Sequence, residues 1–146
     1  MATGLLIAAV LTGCASGPAV LNANLVVGAQ VNPDARKRAS PVVVHVYELK
    51  ATTQFESADF VSLFEKVQAT LGADMLSREE MVLSPGESKA LNKNLSPDTK
   101  FIGVMAAFRE IERARWRVVV PVVGGKKNAV SIDLSDITVQ AKRTAP

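Results

Sequence analysis

Few residues in this chain have the chemistry and spacing that catalysis requires. The sequence contains one cysteine, Cys14, and one histidine, His45, and it has no Gly-x-Ser-x-Gly turn of the kind that exposes a serine nucleophile. Glu79 and Glu80 are adjacent, and neighbours on a strand point to opposite faces, which does not suit a carboxylate pair for acid–base catalysis. One cysteine and one histidine also make a structural zinc site improbable. The sequence therefore predicts a protein that is not an enzyme and binds no metal or cofactor.

The position of Cys14 favours attachment to lipid. An apolar run at residues 5–11 leads into residues 11–14, Leu-Thr-Gly-Cys, and small residues before a cut are what signal peptidases accept. This tetrapeptide resembles the bacterial lipobox, in which the cysteine becomes the first residue of the mature protein and carries a covalent lipid. The sequence thus predicts a signal peptide at residues 1–13 and a lipidated tether at residues 14–23.

The residue after the cysteine predicts which of the two bacterial membranes holds the protein. A single myristoyl-length chain binds a bilayer only reversibly, with an association constant of about 10⁴ M⁻¹. Lipobox cysteines carry several acyl chains, which makes the attachment permanent. Ala15 follows Cys14, whereas an Asp there often retains such lipoproteins in the inner membrane. We therefore expect an outer-membrane lipoprotein whose domain faces the periplasm.

Composition indicates one folded domain without a nucleic-acid partner. The chain has 146 residues, of which 48% are hydrophobic, enough for a core. The formal net charge of +3 is too small for a nucleic-acid-binding surface. Residues 124–127, Gly-Gly-Lys-Lys, lack the spacing of a phosphate-binding loop and are interpreted as a turn with solvated charges.

Strand patterns dominate residues 24–146. Residues 42–50 and 101–108 are apolar on both faces, which indicates central strands. About seven or eight short strands separated by regular turns predict an all-β fold, a β-sandwich. The strands are expected at residues 25–31, 42–50, 80–83, 88–95, 101–108, 115–123, 130–134 and 137–141.

A helical insertion is predicted at about residues 53–77. Thr53 and Glu56 fit a capping box, and Gly72 is suited to end a helix. One helix or two short ones fit equally well. The apolar positions recur at helical spacing, so we expect this face to pack on the sheet with Phe60 and Phe64 buried.

A basic loop between the first two strands has two interpretations. Its three consecutive basic residues suit a solvated tip, which is the usual role of a charge run. Two prolines flank them, however, and loops on rigid sandwiches commonly bind partners. The loop consists of Asn32, Pro33, Asp34, Ala35, Arg36, Lys37, Arg38, Ala39, Ser40 and Pro41.

A series of motifs, in order along nearly the whole mature chain, resembles the TssJ family of type VI secretion lipoproteins. They follow the lipobox as Val-Asn-Pro-Asp at 31–34, Ser-Pro-Val-Val-Val-His-Val-Tyr-Glu-Leu at 40–49, Phe-Glu-Ser-Ala-Asp-Phe at 55–60, Leu-Gly-Ala-Asp at 71–74, Leu-Ser-Pro-Gly-Glu at 83–87, Ile-Gly-Val at 102–104, Phe-Arg at 108–109 and Trp-Arg at 116–117.

This resemblance implies a fold, a partner and a binding site. The fold is a transthyretin-like β-sandwich decorated by helices. The role is to hold the trans-envelope core complex to the outer membrane by binding the periplasmic C-terminal region of TssM, within a complex of TssJ, TssL and TssM. The loop between the first two strands, residues 32–41 here, makes or supports that contact in the family.

Three other functions are weighed against this one. A pilotin or chaperone-like lipoprotein would share the lipid and the sandwich but bind another partner. An enzyme acting on the cell wall would need an acid–base pair, and none is evident. A lipid carrier would need a large apolar cavity, whereas strands that are apolar on both faces fit a packed core equally well.

Overall fold

The computed structural model describes residues 17–145, so the predicted signal peptide and Cys14 lie outside the described residues. Within this range no helix is long and apolar enough to span a membrane. The strands are β1 Val20–Val27, β2 Val42–Leu49, β3 Met75–Leu83, β4 Ser88–Asn94, β5 Phe101–Ala107, β6 Arg117–Pro121, β7 Lys127–Ser135 and β8 Thr138–Arg143.

The strands form a sandwich of two four-stranded sheets, which confirms the predicted all-β fold. One sheet has the order β4-β1-β7-β8 and the other β3-β2-β5-β6. β1 pairs antiparallel with β4 and parallel with β7. β2 and β5 are the central strands of their sheet, as their apolar faces predict.

The core lies between the two sheets. Alternate residues of each strand point inward, and those of β1 and β7 are buried in the pattern expected for a sheet with one covered face. The largest side chains that are almost wholly buried in this layer are Leu21, Leu25, Leu83, Ile102, Ile132 and Leu134.

The first strand begins earlier than the sequence pattern predicts. β1 starts at Val20 and ends at Val27, so residues 20–23 belong to the sheet rather than to a tether ending at residue 23. Asn22 and Asn24 make this stretch look like a linker, but they occupy the outward positions between buried Leu21, Ala23 and Leu25. The predicted boundaries of 25–31 for this strand are therefore wrong.

The helical insertion consists of three short helices and a 3-10 turn. They are α1 Thr53–Ser57, α2 Phe60–Glu65, α3 Val67–Leu71 and the turn Gly72–Asp74. The Thr53–Glu56 capping box does not form; Asp59 caps α2 instead, accepting a hydrogen bond from Ser62 N at 2.9 Å. Residues 75–77 belong to β3, so the insertion ends sooner than predicted.

The helices cover the outer face of the β3-β2-β5-β6 sheet. Phe55, Leu63 and Leu71 pack there against Tyr47 and Met105 of the sheet. This agrees with a helical face that packs on the sheet.

The prediction that Phe60 and Phe64 are both buried is wrong for Phe64. Phe64 is 36% exposed and stacks on the ring of His45, with centroids 5.3 Å apart. Phe60 is half-buried between Phe64 and Trp116. Because the insertion is broken into short helices, the inward positions are Phe55 and Leu63 rather than one continuous stripe.

Candidate functional site

The loop of residues 32–41, named here the β1–β2 loop, lies at the end of the sandwich opposite to the start of β1. The chain enters the sheet at Val20, and β1 then extends for eight residues toward the loop. At about 3.3 Å per residue, this strand separates the two ends of the domain by about 25 Å. The loop therefore lies at the opposite end of the sandwich from the point where the chain enters β1.

Asn32 fixes the base of the loop. Its side chain is buried, donates to the Pro41 carbonyl at 2.8 Å and accepts from Arg109 N at 2.8 Å. Its own N–H donates to the Asp136 carbonyl at 2.7 Å. Asn32 has a φ of 49°, a left-handed conformation that asparagine tolerates better than most residues. One side chain thus closes both ends of the loop and holds it to a neighbouring turn.

Ser40 and Arg109 add a second set of contacts at the base. The Ser40 hydroxyl donates to the Asn32 carbonyl, and Ser40 N donates to the Val31 carbonyl at 3.1 Å. Arg109 Nε donates to the Ser40 hydroxyl at 3.1 Å. The loop is therefore a fixed structure at its base.

Asp34 organises the tip. Its carboxylate accepts from Arg36 N at 2.8 Å, from Arg38 N at 3.0 Å and from Arg38 Nε at 2.8 Å. The hydrogen bond from Arg38 N is the largest of the effects that hold the pKa of Asp34 below its usual range. Lys37, between them, has a φ of 63° and donates its N–H to the Asp34 carbonyl at 2.9 Å.

The three basic residues of the tip are not equivalent. The Arg38 guanidinium is paired with Asp34, at 2.8 Å between Arg38 Nη2 and Asp34 Oδ2. Arg36 and Lys37 are exposed, and their side chains make no ion pair within residues 17–145. Two cations therefore remain available to a partner at the tip.

A turn at residues 109–113 lies beside the loop. Asn32 and Ser40 both bond to Arg109, and the turn encloses a shallow hollow of about 360 Å³. Glu110 and Arg113 pair with each other at 2.9 Å across it. In the sequence this segment is only a run of charges of mixed sign. No local pattern relates it to Asn32, because the contact spans 77 residues.

The single histidine is part of the fold. His45 is buried, with Nδ1 3.0 Å from the Tyr47 hydroxyl and Nε2 2.8 Å from Glu80 Oε2. Burial, followed by the charge of Arg78, lowers the pKa of His45, and Glu80 opposes that shift. Neither a serine nor a cysteine is among these neighbours, so His45 forms no Ser–His or Cys–His pair here.

Glu48 is a second buried polar residue, and its side chain joins the two sheets through Lys93. Burial by itself would raise the pKa of Glu48, but hydrogen bonds from Lys93, Thr99, Ser96 N and Ser77 lower it to about 2. The Lys93 ammonium lies 2.7 Å from the Glu48 carboxylate. Every acceptor position of this carboxylate is therefore occupied by the fold. Within the described part of the chain there is also no group of three or more side chains that could hold a metal ion.

Comparison with known proteins shows the family. The model of the type VI secretion lipoproteins (VasD, EvfM, TssJ) matches residues 19–137. No curated protein matches the sequence significantly. The crystal structure of the T6SS lipoprotein TssJ1 from Pseudomonas aeruginosa is 32% identical, with a TM-score of 0.87 over 89% of this chain and 99% of that one.

Two further structures are similar. Serratia marcescens Lip, a membrane-bound component of the type VI secretion system, is 22% identical with a TM-score of 0.79 over 89% of this chain and all (100%) of its own, and shows the shared fold. A chain in the structure described as the T6SS protein TssM C-terminal domain from EAEC is 28% identical, with a TM-score of 0.71 over 86% of this chain and 98% of that one. The chain therefore belongs to the TssJ family of type VI secretion lipoproteins.

Proposed function

We propose that this protein is acylated at Cys14, is held in the outer membrane by that lipid, and binds the periplasmic C-terminal region of TssM through the β1–β2 loop. In this way it anchors the trans-envelope core complex, which also contains TssL, to the outer membrane. The family is one of secretion lipoproteins rather than of enzymes, and the role proposed here is accordingly non-catalytic.

The observation that carries the proposal is the position of an ordered loop at the end of the domain far from the tether. Asn32, Ser40 and Asp34 fix the loop before any partner arrives, so little conformational entropy is lost on docking. Pro33 and Pro41 restrict the backbone further. A partner that comes from the inner membrane meets this end first.

The choice of partner is supported by the comparisons. A chain similar to this one is part of the solved structure described as the TssM C-terminal domain. The exposed Arg36 and Lys37 suit a partner surface with carboxylate or carbonyl acceptors, and exposed charges of this kind govern the association rate and specificity.

Replacement of the loop tests the binding site. We expect a short Gly-Ser turn in place of residues 33–40 to abolish binding of the purified TssM domain in isothermal titration. Circular dichroism should show an intact sandwich, because no strand is altered. Unchanged affinity would move the binding site elsewhere, and the turn at residues 109–113 would be the next candidate.

Replacement of the cysteine tests the anchor. Cys14→Ser removes the thiol that the lipid requires, so the protein should leave the outer-membrane fraction while keeping its affinity for the TssM domain. A Cys14→Ser protein that still fractionated with outer membranes as an integral component would rule out the proposed anchor.

A further inference from the structure

The end of the sandwich where the tether arrives is built from segments far apart in the sequence. Val20 N donates to the Lys126 carbonyl at 3.0 Å, which brings the β6–β7 turn beside the start of β1. Lys100 N donates to the Leu49 carbonyl at 2.9 Å, and Lys100 accepts from Val122 N at 2.8 Å. These contacts define one surface, named here the tether end.

Exposed cations collect at the tether end. Lys126 and Lys127 lie beside the first residue of β1, and Arg143 bonds to Asn128 Oδ1 at 3.2 Å within the same corner. Half-buried Lys93 at this end pairs with Glu48 and Glu79, but none of the ion pairs within residues 17–145 involves the exposed cations there. Those exposed cations are Lys50, Lys100, Lys126, Lys127 and Arg143.

The tether end has fewer carboxylates than exposed cations. The acidic residues there are Asp74, whose carbonyl accepts from Lys50 N at 2.8 Å, Asp98 in the β4–β5 turn, and Glu48, which is paired with Lys93. At the loop end, by contrast, Asp34 is paired with Arg38 and Glu110 with Arg113. Among the described residues, the exposed cations of the tether end therefore outnumber its carboxylates.

Apolar groups accompany the cations. Val123 is 44% exposed, and Pro18 and Pro97 are also exposed. Pro18 and Pro97 line an open hollow of about 560 Å³ together with Gly124. Exposed apolar residues among lysines form the combination that binds at a lipid headgroup layer, where the apolar groups enter the interface and the cations meet phosphates.

The length of the tether holds this end close to the anchor. Gly17 is three residues from Cys14, which at full extension is about 10 Å, and Val20 is within about 20 Å. The field of an anionic membrane acts over about 8 Å at physiological ionic strength. A tether this short allows the lysines of the tether end to come within that distance of the headgroups.

We propose that the tether end is a membrane-contact surface, whose lysines bind the anionic headgroups of phospholipids in the leaflet that holds the lipid. Its orientation rests on the proposed acylation of Cys14. The contact restrains the tilt of the domain and directs the β1–β2 loop away from the membrane, about 25 Å from the headgroups.

Vesicle binding of the full-length Cys14→Ser protein tests the surface without the acyl chains. The vesicles are phosphatidylcholine alone or phosphatidylcholine mixed with phosphatidylglycerol, compared by sedimentation at low and physiological salt. The apolar run at residues 5–11 is common to all variants and cancels in the comparison. We expect stronger binding to the anionic vesicles, and weaker binding to them as salt increases.

Two double variants test whether binding to anionic vesicles depends on the tether end. Lys126→Gln with Lys127→Gln should lower the association constant for anionic vesicles about 25-fold, since each lysine near the surface contributes about fivefold. The matched control is Lys89→Gln with Arg113→Gln, which removes the same charge far from the tether end. Lys89 lies opposite Leu25, near the end of β1, and Arg113 lies in the turn beside the β1–β2 loop. We expect less than about a twofold change for the control.

Equal losses in the two double variants, or equal binding to neutral and anionic vesicles, would overturn the proposal. Failure of the proposed anchor is distinguishable, because it would appear in the fractionation of the wild-type protein and would leave this comparison unaffected.

Discussion

Asn32 Oδ1 accepts a hydrogen bond from the backbone N–H of Arg109 at 2.8 Å, which joins the β1–β2 loop to a turn 77 residues later. The same side chain donates to the carbonyl of Pro41 at 2.8 Å. One amide group therefore connects both ends of the loop to the turn beside it. The shape of the candidate binding surface depends on this residue more than on any of the charged residues that cover it.

Replacing Asn32 should weaken both the fold and the binding of the partner. Asn32→Ala leaves the Pro41 carbonyl and the Arg109 N–H without partners and places alanine at a φ of 49°. We expect the free energy of unfolding to fall by about 3 kcal/mol, measured by urea denaturation. Asn24→Ala, an exposed change on β1, is the control and should stay within about 0.5 kcal/mol. Similar losses for the two variants would contradict the role assigned to Asn32.

The Glu48–Lys93 pair predicts how the free energy of unfolding depends on pH at low pH. The pKa of Glu48 is lowered from 4.5 to about 2 in the folded protein, so its carboxylate stabilises the fold above pH 4.5. This contribution is lost as pH falls from 4.5 to about 2. Glu48→Gln should cost about 3 kcal/mol at neutral pH and flatten the pH dependence of unfolding in that window. Glu79→Gln, which removes a half-exposed partner of Lys93, should change stability by less than about 1 kcal/mol. A Glu48→Gln protein with the parent's acid-unfolding curve would refute this assignment.

Two phenylalanines of the helical insertion should differ in their contribution to stability. Phe55 is fully buried against Tyr47, so Phe55→Ala should cost about 3–5 kcal/mol. Phe64 is 36% exposed and stacks on His45, so Phe64→Ala should cost only about 1–2 kcal/mol. Thermal unfolding of both variants measures the difference. Affinity for the TssM domain should not change in either folded variant, since the helices lie on the outer face of the sheet. Equal losses of stability would show that the helices pack differently.

The sequence predicted the elements whose signal is local. The apolar runs of β2 and β5 predicted central strands, and both strands are central. The start of β1 was misplaced because two outward asparagines resemble a linker when their neighbours on β4 and β7 are unknown. The helical spacing from Phe60 to Leu71 predicted one face, whereas Asp59 and Lys66 begin new helices and change which residues point inward.

The sequence predicted where the loop lies between the first two strands, but not its internal structure. Its prolines and basic residues are visible in the sequence, and they mark a loop on a sandwich. The Asn32–Arg109 hydrogen bond is not visible, because it depends on the pairing of distant strands. The pairing of Arg38 with Asp34 could not be predicted either, because three adjacent basic residues look equivalent in the sequence. Only the folded turn places the Arg38 guanidinium beside the Asp34 carboxylate.

This difference among the three basic residues gives the sharpest test of the loop. Arg36 and Lys37 are exposed, so Arg36→Gln and Lys37→Gln should each slow association with the TssM domain about two- to fivefold. The salt dependence of the association rate should fall with each change, because long-range attraction is screened by ions.

Loss of the Arg38–Asp34 pair should act on dissociation instead. The Arg38 guanidinium lies 2.8 Å from the Asp34 carboxylate, so Asp34→Asn with Arg38→Gln removes a contact inside the loop and leaves the net charge of the tip unchanged. We expect faster dissociation and an association rate whose salt dependence matches the parent protein. Surface plasmon resonance at two salt concentrations separates the two effects. If all three variants lost association rate equally, Arg38 would face the partner, and the arrangement of the tip around Asp34 would have to change on binding.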